Sequence, residues 1–595
     1  MSRSMFHSLR AARWTRGPGR LGGVALLLLS FTLLAWSQSA PQTPPKTVRT
    51  YAENGAALAL DQKIINQVKD HPDIMTNLEY LSDQIGPRLT GSANLKRANE
   101  WTAEKMKSYG LKNVHLEPWT IPVGFERVTA YARVLEPDNG RTLTLASAGW
   151  SPSTKGRIEG DVVIVNARST QELAPYKGKL KNAIVLTSPP SAFIRTNYLF
   201  DESGRGGRRG GRGAPGDAGG RGGAVARGER GTPGDAAARG GRGAPAAGDQ
   251  GGRGGFGRGN FAFRAELQEF MRNEGAVCTL IDAAKPQGLL NMSGGWRGQD
   301  RGNGAEPLPS AYMVHEHYAM LYRLAGRPAP ARTRVEIELT NKIIPGPITV
   351  YNTVGEIPGS EKPDEMVIIG AHLDSWDLAQ GTTDNGTGTC CVLETARTLM
   401  QAGVKPKRTI RFCLFTGEEE GLHGSREYVK AHKDEMAKIS LCLVHDTGTG
   451  KVVGLGTQGR ASIVPILESE LVSLQPLGLA EINFRSLGGS DHQSFETAGV
   501  PGFAVQQDMS EYNFTHHSQS DTFDKVHEAD LIEGVQVLAV AAVRVANLPN
   551  LLPRGDKPEG SGRGGRGGRQ LQDSPSGKAA EQKDKAAEKK ADDKK

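Results

Sequence analysis

The chain has 595 residues, enough for two or more domains, with 73 basic and 65 acidic residues and a formal net charge of +8. That charge is not spread evenly: five positives sit in the first 20 residues, a net seven in 203–260 and a net four in 554–595, which leaves −8 for everything else. The acidic remainder excludes a broad nucleic-acid-binding surface, and five cysteines with no C-x-x-C pair exclude a disulfide framework or a cysteine-type metal site.

Arg3, Arg10, Arg13, Arg16 and Arg20 form a positive leader without an acid, Val24 to Leu34 is a short apolar run, and Ala35-Trp36-Ser37 supplies small residues for cleavage. Residues 1–37 are therefore predicted to be a secretory signal peptide. The apolar run is shorter than a membrane span requires, so no stable span is expected after cleavage; an uncleaved N-terminal anchor is the alternative. No cysteine near the cleavage region could carry a lipid. The expected location is secreted or periplasmic.

Residues 38–50, rich in Pro, Gln and Thr, read as a linker. From 51 to 113 the pattern is helical, with Ile64, Ile65 and Val68, then Ile74, Leu78 and Leu81, then Ala98 to Tyr109 stopped by Gly110. Gly86-Pro87-Arg88-Leu89-Thr90-Gly91 interrupts it with turn residues. Between 114 and 345 short alternating runs take over: 128–134, 161–165, 183–186, 278–281 and 333–339. They predict a separate, inserted β-rich domain. Within it, 203–260 is made almost wholly of Gly, Arg, Ala, Pro and Asp, with too few apolar side chains to offset the entropy of ordering, and is expected to be a disordered, solvated loop. Gly/Arg tracts can bind RNA, but export of the chain argues against that role here.

From 346 to 550 strands and helices alternate. Strands are predicted at 366–369, 409–415, 439–444 and 501–505, and helices at 388–401, 425–433, 461–474 and 529–546. This is the pattern of an α/β fold, a three-layer sandwich around a mainly parallel sheet. Cys390, Cys391, Cys413 and Cys442 fall in apolar runs and read as buried small side chains. Residues 551–595 are expected to be a disordered tail.

The chemistry-bearing residues collect where apolar runs end. Gly370-Ala371-His372-Leu373-Asp374-Ser375 closes one strand, and Thr383-Asp384-Asn385-Gly386 precedes the next helix. Thr416-Gly417-Glu418-Glu419-Glu420-Gly421 follows the second strand, His445-Asp446 the third, and Phe514 to Thr522 contains His516, His517 and Asp521. Open α/β sheets place their chemistry at the carboxyl ends of the strands. Mixed imidazole and carboxylate donors suit zinc, whereas all-oxygen sets suit magnesium or calcium. Gly488-Gly489-Ser490-Asp491-His492 reads as a loop near the substrate, with a surface histidine as the bland reading of His492.

In this order the segments resemble the secreted co-catalytic zinc aminopeptidases. The resemblance extends to Ile85–Ser92, Val114–Pro118, Ala371–Asp377 and Lys405–Thr409, and covers roughly residues 60–550 apart from the Gly/Arg stretch. It implies a three-layer α/β/α zinc-exopeptidase sandwich, with 114–345 similar to a protease-associated domain that in relatives helps cover the cleft. It further implies two zinc ions per chain: His372 and Asp446 on one, Glu419 and His517 on the other, Asp384 bridging both. Glu418 would be the general base and Asp374 the carboxylate that orients His372. His517 is preferred to His516 because the family ligand stands four residues before the aspartate that here is Asp521; His516, with Asp491 and His492, would line the substrate pocket. The expected partner is a peptide or dipeptide substrate, with no nucleic acid and with a homodimer possible. A glutaminyl cyclase, which shares the fold and several ligands, and a catalytically silent receptor-like binding protein are the alternatives.

Overall fold

A computed structural model describes residues 55–70, 72–137, 140–191, 258–296, 307–479 and 481–555. The predicted leader and linker lie outside the described residues, as does the tail from 556 onward. The predicted Gly/Arg loop does too, except at its end, where Arg258 opens the helix Arg258–Asn273.

Four parallel strands form the centre, in the order Gly502–Gln507, Ile439–Val444, Lys362–His372, Arg408–Phe415. The two-residue period of a strand divides their side chains between two cores. Val367, Ile369, Ile410, Phe412, Leu414, Leu441, Leu443, Phe503 and Val505 face the helices Gly55–Asp70, Thr387–Gln401 and Glu528–Ala546. Met366, Ile368, Cys413, Phe415, Ile439, Cys442 and Val444 pack on the other side with Tyr428 and Phe495 of the helices His423–Ala431 and His492–Thr497. Strands buried on both faces read as continuous apolar runs, which is why the predicted strands match closely. The sheet is extended by two short strands that carry no such signal, Val452–Gly456 and Glu481–Asn483. The predicted helix 461–474 is shorter, Val464–Glu470, and opens at a proline in its first turn.

On the other side the sheet continues without a break. Lys112–Glu136 and Arg334–Ile357 form an antiparallel ribbon of some twenty paired positions that joins Arg408–Phe415 at one end and Ile158–Ile164 at the other. Positions 114 and 345, the expected limits of the inserted region, fall inside these long strands rather than at a linker. Nor is the region purely β: Ile158–Ile164, Ile184–Leu186, Cys278–Asp282 and Ser310–Met313 pair in parallel. Parallel neighbours need crossover connections, and the short helix Thr170–Tyr176 and the helix Arg258–Asn273 lie in two of them. Among the described residues no helix is long and apolar enough to cross a membrane.

One buried cation clips the loop that follows the strand Lys362–His372. Arg88, fully buried, donates from Nε to Leu373 O (2.7 Å), from Nη1 to Gly86 O (3.2 Å) and Gln380 O (3.0 Å), and from Nη2 to Gly381 O (2.6 Å). Its backbone N–H also binds Ser375 Oγ at 3.0 Å. Removing the guanidinium strands several carbonyls, each costing about 1–3 kcal/mol when left unpaired. Arg88→Met is therefore expected to lower the unfolding free energy by roughly 3–5 kcal/mol, read as a reduced urea midpoint at unchanged slope.

Candidate metal centre

Because the four central strands are parallel, their carboxyl ends meet at one edge. His372 ends its strand. Glu418 and Glu419 follow Phe415 in a turn through Gly417, whose φ of +71° and contact with the Trp119 ring leave no room for a Cβ. Asp446 lies two residues beyond Val444, and His517 ten beyond Gln507. Asp384 reaches the same edge from the turn ahead of the helix Thr387–Gln401. That turn is held by Asn385, which donates to His445 O and accepts from Gly388 N, both at 2.9 Å, and by Asp521, which accepts from Thr383 N (2.6 Å) and Asp384 N (3.2 Å).

The side chains converge on Asp384. His372 Nε2 stands 3.1 Å from Asp446 Oδ1 and 3.5 Å from Asp384 Oδ1. His517 Nε2 stands 2.8 Å from Glu419 Oε2 and 3.6 Å from Asp384 Oδ2. Two groups of candidate donors result, His372/Asp384/Asp446 and Asp384/His516/His517, and Asp384 is common to both. His516 is the outer of the two stacked imidazoles: its Nε2 is 4.0 Å from Asp384 Oδ2 and its side chain is 24% exposed, against 3% for His517.

The tautomers are fixed from behind. His372 Nδ1 donates to the carbonyl of Asp374 at 3.0 Å, and His517 Nδ1 to the carbonyl of Met292 at 2.8 Å. Each Nε2 then turns a lone pair toward carboxylate oxygens, an arrangement that is repulsive unless a proton or a metal ion lies between. Both Glu419 oxygens and Asp384 Oδ2 are buried without a hydrogen bond, although His517 Nε2 is in contact distance of Glu419. Donors that approach closely without aiming at each other fit a cation held between them, and mixed N/O donors of this kind fit zinc. This residue set therefore fits the expected metals.

Other expected residues take different places. The carboxylate of Asp374 lies 3.6 Å from His372 Nδ1, so the carbonyl of Asp374, not its side chain, makes the orienting bond. The carboxylate instead accepts from Thr90 Oγ1 (3.2 Å) and Glu419 N (3.3 Å). His492 is not on the surface: it is fully buried at the start of a helix, its Nε2 3.0 Å from Gln458 Nε2 and 3.0 Å from Leu487 O. Asp491 beside it is also fully buried and lies close enough to Glu418 for its charge to raise that carboxyl. A residue that sequence reasoning missed is Tyr512, whose hydroxyl donates to Asp384 Oδ1 at 2.9 Å. No motif separates it from an ordinary helical tyrosine.

The small pocket over these groups is lined by Trp376, Ala379, Gly381, Asp384, Glu419, His517, Ser518 and Asp521. The electrostatics are dominated by burial. It pushes the carboxyls of Glu418, Glu419 and Glu420 well up, and those of Asp491 and Asp521 up to about 7. Burial pushes Asp384 the same way, but the neighbouring imidazoles of His372, His516 and His517 win and hold it well below the carboxylate range. Burial disfavours the His372 imidazolium, yet Asp446, Asp374 and Asp384 raise its pKa well above the usual value.

The fold and this edge are those of an α/β metallohydrolase, with candidate metal donors gathered near the carboxyl ends of parallel strands. The model of peptidase family M28 matches residues 352–542. Carboxypeptidase Q of Bos taurus is 30% identical over 477 residues, covering 80% of this chain and 86% of that one; the Mus musculus protein is 28% identical over the same shares. The crystal structure of an M28 peptidase precursor from Shewanella amazonensis superposes with a TM-score of 0.65 at 24% identity, covering 84% of this chain and 99% of that one. The Bacillus subtilis zinc aminopeptidase BSAP gives 0.52 at 20%, over 79% and 93%. The chain belongs to peptidase family M28, as a carboxypeptidase Q-like metallo-exopeptidase.

The acid cluster makes the metal-free protein sensitive to pH. The raised carboxyls and His372 keep protons in the folded state that the unfolded chain has released, so their contribution is present at low pH and lost as pH rises through the folded values. His445, pushed down to about 4 by burial, and His492, also lowered, act in the opposite sense, but only below the unfolded histidine value of about 6.5. Chelator-treated protein should thus melt at a lower temperature at pH 8 than at pH 6.5, and added zinc should remove that decline. Equal melting at the two pH values without metal would contradict this account.

Proposed function

We propose that this chain is a secreted exopeptidase with two zinc ions, which removes N-terminal residues from peptides or splits dipeptides. The observation that supports it best is the placement of Asp384 between two donor groups, each able to hold one ion. His372 and Asp446 would hold one, Glu419 and His517 the other, with Asp384 shared. Two ions held in this way polarise a substrate carbonyl and make water nucleophilic near neutral pH.

The protein's own residues supply proton transfer and orientation. Glu418 stands beside the donor Glu419, in the field of His372 and Asp446. As general base it takes a proton from the attacking water. As the C–N bond breaks, it returns that proton to the leaving amine. His516, partly exposed and stacked on His517, would contact the substrate. The pocket lining contains no Lys or Arg, so no basic side chain there is offered to a substrate carboxylate. The predicted signal peptide supports export.

Two measurements test this. Glu418→Gln should retain both zinc equivalents yet hydrolyse dipeptides and aminoacyl chromogens at least about 100-fold more slowly, the usual contribution of a general base; full activity would remove Glu418 from the role. His517→Ala should bind one zinc fewer by elemental analysis, while His516→Ala keeps both. The reverse result would exchange the two histidines.

A further inference from the structure

The ligand loop 513–519 is not held by the catalytic half of the molecule alone. A strap from the region between the two long strands, 285–296, crosses over it. Met292 and His517 pair reciprocally: Met292 N donates to His517 O at 2.8 Å and His517 Nδ1 donates to Met292 O at 2.8 Å. Gln519 grips the strap at the other end, its Oε1 accepting from Leu290 N (2.8 Å) and its Nε2 donating to Gly288 O (2.9 Å). Lys285, which is buried, sends its ammonium down to the loop, donating to Asn513 O at 2.7 Å and to His516 O. These contacts bear on a residue whose backbone needs support: His517 has φ of +56°, a conformation a non-glycine residue keeps only when its surroundings impose it.

The strap itself is fixed. Leu290, Met292 and Trp296 are buried in one cluster with Trp119, Trp150 and Trp376. Trp150 meets Trp296 edge-on at 5.2 Å, and Trp376 meets the His517 ring edge-on at 6.0 Å. Gly294 lies so close to Gly149 that any Cβ would reach its backbone at 2.5 Å. A wall packed in this way does not swing open as a lid.

We propose that this strap is a positioning element for one metal: Lys285 and Gln519 hold the 513–519 loop, and the Met292 carbonyl fixes the His517 ring. The region between the long strands thereby sets the affinity of the His517/Glu419 position and not that of the His372/Asp446 position. Lys285 acts on the site through the loop carbonyls of Asn513 and His516. The proposal rests on the ligand assignment above. Removing a partner that orients a ligand typically weakens metal binding 10–100-fold.

The test is chelator competition on the full zinc-loaded chain, following the two equivalents separately, for Lys285→Met, Gln519→Ala and His517→Ala. The expected result is that Lys285→Met and Gln519→Ala weaken one equivalent about 10–100-fold, the same one that His517→Ala loses. The other equivalent is unchanged, and excess zinc restores kcat in the strap variants. Wild-type affinity for both equivalents in folded strap variants overturns the proposal and leaves the ligand assignment intact. Parallel weakening of both equivalents also overturns it, since that is general loosening. Retention of both equivalents by His517→Ala removes the ligand assignment and the proposal together. Should Lys285→Met not fold, Gln519→Ala, at the far end of the strap, decides the matter alone.

Discussion

A surplus of buried negative charge at one edge of a parallel sheet is the constraint around which this molecule is arranged. Asp374, Asp384, Glu418, Glu419 and Asp446 share a small volume with the imidazoles of His372 and His517. Burying that many carboxylates costs far more than the hydrogen bonds among them return, unless cations enter or protons stay bound. The site is therefore destabilising in isolation, and the rest of the structure supplies what keeps it assembled. Arg88 ties down the loop after His372 through carbonyl groups, and Asp521 holds the turn that carries Asp384. On the sheet side, the apolar residues of the four strands are sequestered in two dense cores. Binding energy from metal is then folding energy for this edge.

Orientation is as tightly specified as charge. Both histidines whose Nε2 faces the centre are held through Nδ1 by a backbone carbonyl, one from the same strand end and one from a segment 225 residues away in sequence. A carbonyl can only accept, so Nδ1 must carry the proton, and the tautomer that leaves the Nε2 lone pair free is selected without a titrating partner. The two halves of the molecule are not joined by a flexible hinge at this point. Two long paired strands run through both, and the tryptophan cluster beneath the strap fills the space between them.

Much of the architecture was legible because the signals were strong and local. The strands at 366–369, 409–415 and 439–444 are apolar runs buried on both faces, and a run of that kind has few other readings. The candidate donors could be picked out because His372, Glu418 and Asp446 follow directly on such runs. Weaker signals misled. Short strands at 452–456 and 481–483 have no apolar run to mark them. The middle region reads as β-rich from its short alternating runs, while the parallel order of its strands is invisible in periodicity. A polar G-G-S-D-H string resembles a surface loop, but the helix that His492 opens packs on the central strands Gly502–Gln507 and Ile439–Val444, which buries it.

By itself, the sequence determined the layered α/β class, the positions along the chain of the imidazoles and carboxylates, and the separation of a folded acidic body from basic, Gly/Arg-rich segments. These follow from composition and from periodicities of two and 3.6 residues, which are properties of neighbours in the chain. Only the tertiary structure decided which carbonyl turns each imidazole, that Tyr512 donates to Asp384, that Arg88 binds four loop carbonyls and that a distant strap carries the Met292 carbonyl to His517. Those are contacts between residues up to several hundred positions apart. They are set by how the strands stack and where the long ribbon bends, and no local pattern encodes that.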